Sequence, residues 1–272
     1  VAIGLLVLLT MAATTSDAGA VVSRSVPPAI PAEMVRVGPG TFTPLYPPSP
    51  TQTTVRVEAF LLDRRPVTNE AFRAFVEQET RWRRDRISPL FADARYLAHW
   101  EGPTKLGPRA LPDHPVVHVS WFAAKAYCER QGKRLPTENE WELAALADET
   151  SPDAHESPAW TQRILEWYAR STASTLRPVG LSPPNYWGVF DLHGLVWEWV
   201  LDFNSTIVSS DSRENGESDR LRFCGSAALQ ASGAKTDYAN FMRVAFRSSL
   251  EARFTTGTLG FRCAANWQEV AR

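Results

Sequence analysis

The sequence predicts an α+β domain with little regular secondary structure, and three observations carry that prediction. Short apolar runs in the first quarter of the chain alternate at the two-residue period of strands. Two later stretches place apolar residues at helical spacing behind good capping residues. Twenty prolines and ten tryptophans imply long loops held by aromatic packing. With 272 residues, 44% of them hydrophobic, the chain can bury a sizeable core. Its net charge of −1 gives no electrostatic case for nucleic acid or for an acidic membrane surface.

Residues 2–13, AIGLLVLLTMAA, are apolar but short for a bilayer span. Ala18, Gly19 and Ala20 follow as a small-residue cleavage site, so residues 1–20 read as a secretory signal peptide whose basic n-region is missing from the sequence. An uncleaved anchor is the alternative, and the only membrane contact expected. Residues 21–32, with Pro27, Pro28 and Pro31, read as a linker ahead of a domain over residues 33–266. Export places the chain in an oxidising compartment, the periplasm, where disulfides persist.

Within the domain, residues 34–42 (MVRVGPGTF) read as strand, Gly-Pro-Gly turn and strand. Val55, Val57 and Phe60 alternate toward a core. Thr68 or Asn69 caps a helix with Phe72, Phe75 and Val76 on one side. Residues 81–115 are irregular; the run Arg81, Arg83, Arg84, Asp85, Arg86 reads as a solvated face, with a basic patch as the alternative. His114 and His118 are four apart, but Pro115 and the valines make the segment extended, so packing or surface roles are expected rather than metal ligation. Residues 120–147 form two helices. Ser120 caps the first, which buries Ala123, Ala124, Tyr127 and Cys128 and stops at Gly132. Thr137 and Glu140 make a capping box for the second, which carries Trp141, Leu143 and Ala144. A short helix is expected around residues 160–169, and residues 204–219 read as a polar loop.

The wording of several of these stretches is more specific than their physics. AYC-x-x-x-GKRLPTE-x-EWE-x-A (residues 126–144), the VTN helix at 67–76, PVVHVSW at 115–121, RPVGLSPPNYWGVFD at 177–191, DLHGLVWEW at 191–199, FRS at 246–248 and GFRC at 260–263 resemble, in the right order, the signatures of the formylglycine-generating enzyme family, also called sulfatase-modifying factors. The resemblance covers residues 34–264 and implies a C-type-lectin-like fold.

Asp191 and Glu198 are two hard carboxylates seven apart, with Gly194 permitting a tight turn between them, a pattern that suits an oxygen cage for calcium. In relatives the matching positions bind a structural calcium. By that resemblance Asp191 and Glu198 would give side chains, and Gly194 and Val196 carbonyls. The alternative is that Asp191 caps a turn and Glu198 pairs with an arginine. Leu195 replaces the family's Asn, and a surface or supporting role is expected for His193.

The three cysteines, 128, 224 and 263, leave every pairing open by sequence alone. The resemblance implies a Cys128–Cys263 disulfide, closing a loop of about 135 residues and worth roughly 4–5 kcal/mol in the chain-entropy model. Formylglycine-generating enzymes carry two active-site cysteines shortly after a GGS step, and that pair binds copper(I), a soft ion suited to two thiolates. Here the step reads Cys224-Gly225-Ser226. Leu229 stands about where the first of the two is expected, and residues 238–242 (YANFM) fill the region of the second. This departure argues against formylglycine synthesis. The surrounding pattern resembles NirV-type exported accessory proteins found beside copper nitrite reductases. The expected function is therefore an exported accessory or maturation factor that binds a client protein or peptide. Two alternatives are kept: a metal-dependent oxidase using Cys224, with Ser226 beside it and copper as a candidate ion, and a calcium-supported lectin-like binding module. Fold alone does not decide among them.

Overall fold

Strand β1 (Met34–Val37) pairs antiparallel with β4 (Phe60–Asp63), Met34 opposite Asp63, and β4 pairs antiparallel with β7 (Ala264–Asn266), Phe60 opposite Asn266. In this computed structural model, which describes Val1 and residues 30–45, 51–169, 176–203 and 235–267, β4 is the central strand and is buried along its whole length. Its sequence, FLLD, fits that place: Leu61 packs with Met34 and Ala265 on one face, and Phe60 and Leu62 enter the main core on the other. Two smaller sheets flank it, β2 (Gly40–Phe42) antiparallel to β3 (Val55–Val57), and β5 (Trp197–Glu198) parallel to β6 (Leu259–Gly260). The chain turns from β1 to β2 at Gly38, whose φ of +73° a side chain would strain. The α+β class and the modest share of regular structure are as the sequence predicts.

The helices begin where the capping residues place them. Thr68, not Asn69, caps α1 (Asn69–Gln78), its hydroxyl accepting from the Ala71 N–H at 3.2 Å. Asn69 is buried instead: its amide donates to the carbonyls of Leu111 (3.1 Å) and His114 (3.3 Å), and its oxygen accepts from the Trp100 indole at 3.0 Å. This one residue ties the irregular 97–115 segment to α1. Ser120 caps α2 (Trp121–Arg130), and the chain leaves that helix through Gly132 at φ +68°. Thr137 and Glu140 form the predicted capping box of α3 (Glu138–Ala145). The core between them is aromatic. Phe72 lies 5.8 Å from Tyr127 and 6.0 Å from Phe261, ring centre to ring centre.

Cys128 of α2 is joined to Cys263, just before β7, by a disulfide with a Cα separation of 5.6 Å. Asp63, at the end of β4, sits under this junction. It accepts from the Cys263 N–H at 3.1 Å and from the Lys133 ammonium at 2.7 Å. Helix α4 (Pro158–Ala169) lies where the sequence places it. Helix α5 (Lys235–Ser248) does not come from the sequence reading, which gives residues 238–242 no secondary structure. The arginine run is largely the expected solvated face, with Arg81, Asp85 and Arg86 exposed and Arg83 paired with Asp85, but Arg84 turns inward and donates to the carbonyls of Leu97 (3.1 Å) and Trp100 (2.7 Å). The signal segment and nearly all of the linker fall outside the described residues, among which no helix is long and apolar enough to cross a membrane.

Candidate functional site

Cys224 and Ser226, the residues singled out for chemistry, lie outside the described residues, as does the loop at 204–219. The structure describes what adjoins them, and above all how α5 is held. Glu138 and Glu142 on α3 and Arg243 and Arg247 on α5 are each four apart, so each pair shares one helix face. Arg243 bonds Glu142 at 2.8 Å; Arg247 reaches Glu142 at 2.6 Å and Glu138 at 3.1 Å. Arg247 also lies over the Trp141 ring at 4.7 Å. Burial pushes the Glu142 carboxyl up, but the two guanidiniums outweigh it and bring it down to about 2. The Glu138 carboxyl is held above its ordinary value by burial, which Arg247 only partly opposes. Beside this latch Trp197 stacks on Phe246 at 4.5 Å and on Tyr168 at 5.1 Å, joining β5, α5 and α4. The sequence reading missed Arg243 and Arg247; the matching four-residue spacings of two acids and two arginines were the signal.

Whether Asp191, Gly194, Val196 and Glu198 fit a calcium ion depends on what their oxygens already accept. Asp191 is buried at φ +59° and takes Arg177 at 2.9 Å, the Ser182 hydroxyl at 2.7 Å and the Gly180 N–H. Glu198 is fully enclosed with Arg262, which donates Nε (2.8 Å) and Nη2 (2.8 Å) to the two carboxylate oxygens, and the Trp141 indole adds a bond at 2.8 Å. Val196 packs with Val117 and Leu195 in a small apolar cluster. The set as folded fits two separately compensated carboxylates, and an ion would have to displace Arg262 and Arg177. For Glu198 this is the arginine pairing named above as the alternative; Asp191 is likewise paired with an arginine, Arg177. Among the described residues no group of three or more His, Cys, Asp or Glu side chains converges on a metal position.

His193 is partly buried. Its ring lies among Trp141 (5.8 Å), Trp160 (5.6 Å) and Trp167 (6.3 Å), and Nε2 donates to the Ala145 carbonyl at 2.9 Å. Burial, with Arg243 nearby, lowers its pKa to about 3, so the ring is neutral. It lines a cavity of about 260 Å³ between α4 and residues 176–194. The two histidines four apart in sequence part company: His114 bonds Asp113 at 2.8 Å, while His118, at φ +53°, packs against His99 with ring centres 5.3 Å apart.

The copper(I) site of the resembled enzymes needs two thiolates. With Cys128 and Cys263 joined, Cys224 is the one thiol left among three cysteines, so this donor set does not fit that site.

Comparison with known proteins agrees with the resemblance carried by the sequence motifs. Residues 22–267 match the family described as sulfatase-modifying factor enzyme 1-like domain. The chain is 35% identical over 254 residues to the formylglycine-generating enzyme of Streptomyces coelicolor, covering 78% of this chain and 79% of that protein. It is 32% identical over 247 residues to a mouse protein named inactive C-alpha-formylglycine-generating enzyme 2, covering 78% and 77%. Among solved structures, PvdO from Pseudomonas aeruginosa aligns with a TM-score of 0.46 at 20% identity, over 86% of this chain and 94% of that one.

Proposed function

This chain belongs to the sulfatase-modifying factor enzyme 1-like family, and from that premise we propose that it is an exported member which has kept the scaffold and given up the oxidase chemistry, serving as an accessory or maturation factor for another periplasmic enzyme. The client would be a protein or peptide, with a copper enzyme the first candidate. One observation carries the reading: the Cys128–Cys263 disulfide leaves Cys224 alone, and one thiol cannot supply the two-thiolate copper(I) site. That a relative at 32% identity bears the name of an inactive enzyme supports it, since the fold is there used without the activity. The 35% identity to a named enzyme does not oppose it, because overall identity reports the scaffold and not the site.

The test is elemental analysis and oxygen uptake on protein taken from its own compartment, alongside Cys224→Ser. The expected result is no stoichiometric copper or iron, and no oxygen uptake when copper(I), a reductant and a cysteine-containing peptide are supplied. Near one equivalent of copper that disappears with Cys224→Ser, together with oxygen uptake, would overturn the proposal in favour of an oxidase rebuilt on Cys224. The accessory role itself is checked by adding the purified protein to the copper-free form of the candidate client and following copper loading, which should be faster or more complete.

A further inference from the structure

A second cavity, of about 340 Å³, lies between the start of α1 and the irregular segment that Asn69 ties to it. Two of its polar side chains are already committed. Asn69 Oδ1 accepts from His99 Nε2 and from the Trp100 indole, both at 3.0 Å, and His99 Nδ1 is enclosed, so neither offers the cavity a free group. His114 holds the Asp113 carboxylate on Nδ1 at 2.8 Å, and Asp113 is not on the lining. Arg109 is different. It is exposed on the lining, and among the described residues its guanidinium has no carboxylate or carbonyl partner. Its charge is felt inside: burial and then His118 lower the His99 pKa, and Arg109 lowers it further.

The rest of the lining narrows the ligand. It holds a guanidinium and no carboxylate, so a cation is repelled and an anion is drawn in. The planar fork of an arginine matches the two oxygens of a carboxylate. The walls are Pro108, Leu111, Pro115 and Leu176, and Leu111 is 44% exposed, so a bare inorganic anion would leave this apolar surface in water. A neutral hydrocarbon would cover the walls but leave Arg109 without an acceptor. A molecule with one carboxylate and an apolar body answers both. The volume falls at the small end of the ~300–1,000 Å³ usual for ligand pockets, which calls for a short body. We propose that this cavity binds a small apolar monocarboxylate, such as a short-chain fatty acid or an arylacetic acid, with its carboxylate on Arg109 and its carbon body against Leu111, Pro115 and Leu176. The argument uses none of the cysteines and stands apart from the accessory-factor reading.

Isothermal titration of the whole chain with hexanoate and phenylacetate tests it. Hexanamide keeps the body and lacks the charge; acetate keeps the charge and lacks the body. At least one of the two apolar acids should bind saturably, with hexanamide and acetate about tenfold or more weaker. Arg109→Gln should bring the apolar acid down to the level of hexanamide while leaving hexanamide unchanged. No saturable binding of either apolar acid up to about 10 mM would overturn the proposal. So would hexanamide or acetate binding as well as the apolar acid, or full affinity in Arg109→Gln. If circular dichroism shows that variant to be misfolded, phenylglyoxal labelling of the wild-type chain with peptide mapping decides instead. The bound acid should slow modification of Arg109 and hexanamide should not; equal rates with and without the acid would overturn the proposal.

Discussion

Replacing Glu142 by Gln should cost the protein about 3 kcal/mol at neutral pH and remove much of its acid sensitivity. The side chain is 15% exposed and holds two arginines that are 2% and 6% exposed, so solvent screens the contacts little. Its pKa of about 2, against an ordinary 4.5, corresponds at ~1.4 kcal/mol per unit to about 3 kcal/mol of stability. That agrees with the ~3–5 kcal/mol typical of removing one partner from a buried ion pair. The sign follows from the depressed value. The folded protein takes up this proton at lower pH than the unfolded chain, so the stabilisation is complete above pH 4.5 and is lost as pH falls toward 2. Glu138, whose pKa is raised by burial and in part by the Glu142 charge, contributes in the opposite sense, so removing that charge eases its penalty and slightly offsets the loss at neutral pH. Urea unfolding at pH 7 and pH 3 measures both effects. For a domain of this size the loss at pH 7 corresponds to a drop in Tm of about 6–12 °C. A loss below about 1 kcal/mol at pH 7, or wild-type and variant stabilities that decline in parallel between pH 5 and pH 3, would refute the latch as the anchor of α5.

Other outcomes follow from the same geometry. Glu198→Gln strands the fully enclosed Arg262 and should cost about 3–5 kcal/mol in urea unfolding. Since Arg262 and Arg177 already occupy the predicted calcium ligands, the wild-type Tm should be the same in millimolar calcium and in chelator; a fall of several degrees in chelator would reinstate an oxygen cage at Asp191 and Glu198. Thiol titration of the denatured chain should find one thiol before reduction and three after, and reduction should destabilise by about 4–5 kcal/mol; three thiols at the outset would remove the argument against copper(I) binding. Asn69→Leu leaves the Trp100 indole without its acceptor, while the Leu111 and His114 carbonyls keep backbone donors, and should cost about 1–3 kcal/mol by denaturant titration, with a near-wild-type value counting against its bridging role.

What the sequence revealed was local or written in a recognisable signature. Ser120, Thr137 with Glu140, and Gly132 act within four residues of themselves, so their roles are printed in the spacing. The disulfide joins residues 135 apart and was legible only through the resemblance of the two segments that carry it. Contacts of similar reach but no signature were missed or half read: Glu142 with Arg243 are 101 apart, and for Glu198 an arginine partner was the stated alternative, but not that it is Arg262, 64 residues on. The calcium expectation shows the same limit from the other side. Carboxylate spacing within one strand and turn does not say that an arginine from the far end of the chain is paired with Glu198.

The devices that hold this fold together are separable from the chemistry its relatives perform. The disulfide clamps α2 to the sheet, Arg262 neutralises Glu198 in the core, and the α3–α5 latch fixes the helix that follows residues 204–234. None of these contacts needs a free thiol or a metal. A chain can therefore lose one or both catalytic cysteines at no cost to these contacts, and an oxidase scaffold can persist as a rigid frame for binding.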